Sequence, residues 1–276
     1  MIKPLLRFFG KSHNEINMLE VEKEDSKTPD LKGEMPRVIE APPNIPLKRP
    51  DYRQQGQARG DYIAQLVQKF ALLKTDQIIR AVRARDFGLP DARTDYSILK
   101  ACKRLSEHGY FHQLGRYRDG RVVYGIHKKQ NTRPHFDHDL KVSAIGLELE
   151  IAGVLDAWVS DQTTLKEKYK AGDLPLIPDA TLTLQGSDMP HYVEMENNQP
   201  NVGVIKEKLR RYRSHRDILK SMRVLYICAR PERVPRVREL AGDGMLVWVT
   251  SYNDFIQNPL GAVWTTGANN KSIVSQ

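Results

Sequence analysis

Two apolar strand patterns separated by a short break constrain this chain more than any other feature. Residues 176–184 read LIPDATLTL, and residues 191–196 read HYVEME. Side chains alternate faces along a strand, so Glu194 and Glu196 are expected on the same side, about 6.6 Å apart. Asp179 lies near the start of the first strand. Carboxylates this close repel one another by roughly 2–3 kcal/mol per pair at an effective dielectric near 20, so the cluster needs a compensating cation.

These three acids predict a metal site. Carboxylate oxygens are the ligands that Mg²⁺ and Mn²⁺ prefer, so we expect Asp179, Glu194 and Glu196 to bind one of these ions. Such a site is typical of phosphodiester cleavage. The alternative is an edge strand that carries charges against aggregation. The apolar neighbours Val193 and Met195 favour an interior strand, and therefore a functional site.

The charge of the chain indicates an acidic partner. The 276 residues carry a net charge of +9, and residues 58–130 hold 15 Lys and Arg against 7 Asp and Glu, an excess of eight. Nucleic acid is the commonest partner of such a basic region.

Cysteine usage and hydropathy indicate a cytoplasmic protein. Cys102 and Cys228 lie in separate apolar runs without metal-ligand spacing, as expected of reduced core residues. We see no signal-peptide pattern and no run of roughly 20 apolar residues, so no membrane partner is expected.

The chain divides into four parts. Residues 1–57 are mostly polar and include APPNIPLKRP, whose prolines forbid a helix, so we expect a disordered basic arm. Residues 58–130 and 135–264 carry the apolar patterns of two folded domains. Residues 265–276 are expected to form a flexible tail.

A winged helix-turn-helix is predicted for the first domain. Apolar residues recur at helical spacing from Asp61, and two further helices are expected to be capped by Thr75 and Thr94. Two strand patterns follow, joined through Asp119-Gly120, a dipeptide favoured by tight hairpin turns. Three helices followed by a hairpin is the order of elements in that fold.

Basic residues of this domain are candidates for contact with double-stranded DNA. Some lie off the apolar stripe of the third helix, where a groove-reading helix needs them, and others crowd the hairpin tip, where they suit phosphates or the minor groove. The candidates are Lys100, Lys103, Arg104, Arg116, Arg118 and Arg121. The alternative is a protein-binding domain with a solvated basic face. The arginines at the tip favour DNA, because neutralising the phosphate backbone dominates such affinity.

The second domain predicts a mixed sheet flanked by helices, an α+β or α/β fold. A long helix is expected from about His138 to Trp158, with Leu155 on its buried stripe. The two strands follow, then a helix from about Asn201 to His215, and two more strands with a helix between them. One strand of the fold is not obvious, and a short hairpin within residues 165–176 is its candidate.

This order of elements, with Pro-Asp followed by Glu-x-Glu, resembles the PD-(D/E)xK core of restriction endonucleases and resolvases. Residues 60–264 more closely resemble the replication–relaxation family, which includes MobC-type relaxases of mobilisable plasmids. The matching positions are the His138-containing helix start, Pro178-Asp179-Ala180, Glu194-Met195-Glu196, Lys208-Leu209 with Tyr212, and PLGAVW at 259–264.

The resemblance implies a metal-dependent endonuclease that nicks DNA at a plasmid transfer origin or processes DNA during replication, alongside other mobilisation or replication proteins. By this resemblance Asp179 and Glu194 bind Mg²⁺ or Mn²⁺, and Glu196 occupies the place usually held by a lysine. A glutamate there can act as general base or as a second metal ligand. A lysine on the next helix, Lys208 or alternatively Lys206, can supply the positive charge.

One further acid is a candidate for the site. Glu148 lies about 65° from the centre of the apolar stripe of the long helix, at 100° per residue. It is a better candidate than Glu150 to reach a site at the sheet edge; the alternative, which is the usual one for an acid on a helix flank, is a solvated side chain.

Other functions stay open. A non-catalytic plasmid replication or transcription regulator, bound to an operator through a degenerate nuclease fold, would also explain Glu196 in the lysine position. A Holliday-junction or restriction-type nuclease would cut junctions or both strands. The relaxase class with histidine-bound metal and a tyrosine nucleophile is disfavoured, because His135 and His138 do not form His-x-His and Tyr212 is expected in the core.

Overall fold

The computed structural model describes most of the chain from residue 52 onward, and these residues belong to one compact unit, residues 50–276. The described ranges are 52–85, 91–132, 134–174, 176–187, 189–197, 201–215, 222–242, 247–261, 264–266 and 269–271. The predicted arm lies outside them up to residue 51, but Tyr52–Gln57 are helical, so the first helix begins earlier than the sequence indicated.

In the described part of the N-terminal half, three helices are combined with three short strands. They are α1 (Tyr52–Phe70), β1 (Leu72–Lys74), α2 (Thr75–Ala84), α3 (Asp91–Glu107), β2 (His112–Arg116) and β3 (Val122–Gly125). The strands form an antiparallel sheet in the order β1-β3-β2. Strand β1 was not predicted, because three residues are too few for an alternating pattern.

Of the predicted hairpin turn and the predicted cap of α2, the first is confirmed and the second is not. The tight turn is confirmed: Gly120 has φ +79° and its N–H donates to the Tyr117 carbonyl at 2.9 Å. The expected cap of α2 is wrong. Lys74 precedes the helix, and the Thr75 hydroxyl donates to the Val122 carbonyl at 2.8 Å, which fastens α2 to β3.

The C-terminal half is a mixed sheet with helices. Its elements are α4 (Phe136–Ile151), β4 (Leu155–Val159), α5 (Gln162–Lys170), β5 (Ala180–Leu184), β6 (His191–Glu196), α6 (Val202–His215), β7 (Arg223–Cys228), α7 (Val234–Ala241), β8 (Val247–Ser251), α8 (Tyr252–Gln257), β9 (Trp264–Thr266) and β10 (Asn269–Lys271). The strand order is β10-β9-β8-β7-β6-β5-β4. Strands β6, β7 and β8 run parallel, and the other pairs are antiparallel.

The long helix ends earlier than predicted, and this supplies the missing strand. Gly153 takes φ +70°, and the Val154 N–H bonds back to the Leu149 carbonyl at 3.1 Å, the pattern by which a glycine terminates a helix. Leu155 therefore begins β4, which pairs with β5. The predicted hairpin is wrong as well, because residues 162–170 form α5.

The predicted tail is also shorter than expected. Strands β9 and β10 pair with each other at the sheet edge and lie mostly within residues 265–276. Residues 272–276 lie outside the described part of the chain.

The sheet buries both faces, and β6 divides its side chains between them. Val193 and Met195 belong to a hydrophobic cluster that α1, α2, α3 and α4 share with one face of the sheet. Tyr192 belongs to a second cluster, with α6 and α7 on the other face. The predicted alternation along β6 is therefore confirmed. Among the described residues, none of the helices combines the length and apolar character that a bilayer-spanning segment requires.

Close packing of α4 gives a stability prediction. A Cβ added at Gly146 would lie 2.7 Å from a Phe70 ring carbon and 2.8 Å from the Trp158 ring. We expect Gly146→Ala to lower the free energy of unfolding by about 1–3 kcal/mol through overpacking, measured by urea denaturation. The control is Gly56→Ala in α1, whose Cβ meets nothing within 4 Å and which should stabilise by about 0.5–1 kcal/mol. Equal effects of the two substitutions would contradict the packing.

Candidate active site

The sequence-predicted acids just before β5 and on β6 come together at one cavity. It has a volume of about 620 Å³ and lies at the carboxyl end of β6. Asp179, Glu194, Glu196 and Lys208 all line it. Carboxyl ends of parallel strands are the common place for ligand sites in such sheets. The fifth predicted residue, Glu148, does not line it.

Asp179 is fixed beside β6 by backbone contacts. Its N–H donates to the Val193 carbonyl at 3.0 Å, and its Oδ2 accepts the Met195 N–H at 2.7 Å. These two bonds hold Asp179, which immediately precedes β5, next to Glu194 and Glu196 of β6. Proximity of Asp179 to Glu194 and Glu196 thus follows from strand pairing.

Glu194 is the most deeply buried of the acids, with 1% of its surface exposed. Its Oε1 accepts a hydrogen bond from the Tyr212 hydroxyl at 2.5 Å, and its Oε2 forms an ion pair with Lys208. Burial raises the pKa of Glu194 to about 7, although the Lys208 ammonium opposes the shift. Tyr212 is buried, as predicted, but it also holds the carboxylate in place.

Glu196 has a cation that sequence reasoning missed. The Arg233 guanidinium, from the 3-10 turn Pro231–Arg233, forms an ion pair with its Oε1. The two atoms are close but not aligned as a hydrogen bond, so Oε1 is buried without one. Burial raises the pKa of Glu196, and the Arg233 charge opposes this.

His138 also lines the cavity and was absent from the predicted site. Its Nε2 lies 3.2 Å from Asp179 Oδ2 and 3.1 Å from the Met195 carbonyl. Burial lowers the pKa of His138, but the hydrogen bonds and charges of Asp139 and Asp179 outweigh this and raise it to about 10. A protonated imidazole donates from both nitrogens. Its only sequence signal was its place at the start of the long helix in the family resemblance.

Each of the three acids is therefore paired with its own protein cation. His138 pairs with Asp179, Lys208 with Glu194, and Arg233 with Glu196. Within the described ranges, no group of three or more His, Cys, Asp or Glu side chains is placed to hold a metal ion as it stands. The acids nevertheless offer only oxygen donors, as hard divalent ions require, and the buried Glu196 Oε1 lacks a hydrogen bond. The residue types fit Mg²⁺ or Mn²⁺.

Glu148 lies elsewhere, and its predicted role is corrected. It forms an ion pair with Arg80 of α2 and is 5% exposed. Burial raises the pKa of its carboxyl, and the Arg80 hydrogen bond opposes the shift. Periodicity placed Glu148 on the flank of α4, but α2 packs against that flank, so the acid fastens two helices together.

The predicted DNA contacts fall into two groups. Lys100, Lys103 and Arg104 are exposed on α3. The tip arginines have partners within the chain: Arg118 lies 2.9 Å from Asp137, and Arg121 lies 2.7 Å from Asp76. Arg116 donates to the Gly120 carbonyl at 2.8 Å.

A second cavity lies at the hairpin tip and shares lining residues with the cavity that contains the acids. It has a volume of about 430 Å³ and is lined by Arg116 and Arg118. The shared residues are Pro134, His135, His138 and Asn197. A basic surface therefore adjoins the acidic one.

Comparisons with known proteins leave the family open. No protein-family model matches the chain, and no curated protein matches it. The crystal structure of protein VC1899 from Vibrio cholerae is similar with a TM-score of 0.31 and 14% identity, over 75% of this chain and 54% of that one. The chain thus spans about half of that protein, and the likeness is too weak to support an argument. The resemblance to the replication–relaxation family stays a prediction.

The Glu194–Lys208 pair predicts a pH-dependent loss of stability. The pKa of Glu194 is raised on folding, so the stabilising effect of its proton is present at low pH and is lost as the pH rises through about 7. Lys208→Met leaves the ionised carboxylate without a cation. After allowance for the one-third exposure of Lys208, we expect a loss of about 1–3 kcal/mol of unfolding free energy at about pH 8 and a smaller loss at about pH 5.5.

The exposed Lys206 on the same helix supplies the control, since Lys206→Met should change little at either pH. Denaturant unfolding of the three proteins at both pH values measures the difference. A loss that is the same at both values would show that the Glu194 charge is not what Lys208 compensates.

Proposed function

We propose that this protein is a metal-dependent DNA-nicking enzyme, acting at the transfer origin of a plasmid or mobile element as MobC-type relaxases do. The observation that carries the proposal is the convergence of Asp179, Glu194, Glu196 and Lys208 on one cavity at the carboxyl end of β6. Helix α4 and the strands β4 to β7 with α6 support a restriction-endonuclease-like core.

The N-terminal half supports DNA as the substrate. Three helices and three strands in the order α1-β1-α2-α3-β2-β3, with the sheet order β1-β3-β2, are typical of a winged helix. Its third helix exposes Lys100, Lys103 and Arg104, where a groove-reading helix presents cations. The basic cavity at the hairpin tip offers the phosphate backbone a path toward the acids.

Each residue of the cavity has a role in this proposal. Asp179 and Glu194 would hold Mg²⁺ or Mn²⁺, which polarises the phosphodiester and lowers the pKa of a bound water. Glu196 would serve as general base or further ligand. Lys208, paired with Glu194, would offset negative charge in the cavity. His138 orients the Asp179 carboxylate through their 3.2 Å contact.

The second candidate is a non-catalytic plasmid replication or transcription regulator with a degenerate nuclease fold. The specific observation in its favour is the pairing of all three acids with protein cations. In such a protein the cations would stabilise the acids permanently, and the winged helix would provide the function by binding an operator.

Nicking of supercoiled plasmid DNA carrying a transfer origin, with Mn²⁺ present, separates the two candidates. We expect the wild type to convert supercoiled plasmid to open circles, and Glu194→Gln and Asp179→Asn to lower the rate by at least about 100-fold, because each removes a metal-binding charge. Glu207→Gln is the matched control, since Glu207 lies on the exposed face of α6.

No nicking by the wild type, together with specific operator binding, would favour the regulator. Linear products or cleaved four-way junctions in place of open circles would indicate a restriction-type or junction nuclease.

A further inference from the structure

Helix α5 forms a wall of the acid cavity that no sequence pattern indicated. Gln162 and Lys166 are four residues apart, so they share one helical face, and both line the cavity. Asp161 caps the helix by accepting the Thr164 N–H at 2.9 Å. Leu165 anchors it, fully buried, in the cluster beneath α6. The two polar side chains therefore project from a fixed helix.

Lys166 differs from the other cations of the cavity. Lys208 is engaged by Glu194, and His138 by Asp179. Lys166 is exposed and, among the residues that the structure describes, forms no ion pair or hydrogen bond with another side chain. Among the described cations that line the cavity, Lys166 is therefore the one whose charge is available to a ligand.

We propose that Lys166 and Gln162 form the phosphate-binding subsite of this cavity and hold a DNA phosphodiester against the acids. This inference rests on the proposed function, which makes DNA the substrate. A lysine ammonium is a compact charge that pairs readily with phosphate oxygen, and a glutamine amide adds a neutral donor. Lys166 thus supplies the positive charge that is missing from the usual lysine position, which Glu196 occupies. Lys208 stays paired with Glu194.

The same helix offers a matched control. Lys168 is exposed and lies about 200° around the helix from Lys166, at 100° per residue, and it does not line the cavity. Both substitutions to alanine remove one positive charge from α5. A difference between them therefore reports on position and not on net charge.

We expect Lys166→Ala to lower the nicking rate at saturating DNA by about 10–100-fold, because a donor to the reacting phosphate is lost. Lys166→Arg should recover part of that rate, and Lys168→Ala should match the wild type. Affinity for duplex plasmid should change by less than about 2-fold in all three, because the α3 and hairpin-tip cations supply most of it. A nicking rate of Lys166→Ala equal to that of Lys168→Ala would overturn the subsite.

Glu194→Gln, assayed in parallel, keeps the two proposals distinguishable. If it abolishes nicking while Lys166→Ala nicks normally, the proposed function stands and the subsite falls. If the wild type does not nick at all, fluorescence anisotropy with a short labelled single strand decides: weaker binding by Lys166→Ala than by Lys168→Ala supports the subsite without catalysis, and equal binding overturns it.

Discussion

The buried carboxylate of Glu194 is the interaction on which the rest of the site depends. A charge taken out of water must be paired and hydrogen-bonded, or it becomes protonated. Lys208 and Tyr212, one turn apart on α6, satisfy both oxygens of Glu194. Both contacts come from α6, so they hold this helix beside β6 at the wall of the cavity.

The neighbouring acids, Asp179 and Glu196, are also paired with cations, and each cation comes from a different element. His138 comes from the start of α4, and Arg233 from the turn before α7. The cations allow the acids to stay close together before any ion binds. In the proposed enzyme a divalent ion would replace part of this internal compensation and bring with it the ability to activate water. In a regulator the compensation would be permanent.

Local pattern predicted the parts of the site that lie along single elements. Alternation on β6 separated Glu194 and Glu196 from Val193 and Met195, because a strand admits only two faces. The site predictions that failed depended on contacts between elements that are distant in sequence. Nothing near Glu148 reveals that Arg80 packs beside it, and no spacing links Glu196 to Arg233.

One glycine decided the largest error in the predicted fold. The helical spacing of apolar residues continues past the end of α4 to Leu155, so periodicity alone extended the predicted helix. Gly153, at φ +70°, ends it and releases β4 into the sheet. Helix α5, next to the cavity, was not predicted for a related reason. Its charged sequence contains a single buried residue, Leu165, and one residue does not make an apolar stripe.

Direct measurement of Mn²⁺ binding by electron paramagnetic resonance tests the central claim, that these acids form a metal site. At about pH 8, where the Glu194 carboxyl is mostly ionised, the wild type should bind Mn²⁺ saturably, and affinity should fall as the pH drops through about 7, because a proton competes for the same oxygen. Asp179→Asn and Glu194→Gln should each weaken binding by at least about 10-fold, while Glu207→Gln leaves it unchanged. Absent binding in the wild type, or equal binding in all four proteins, would contradict the account.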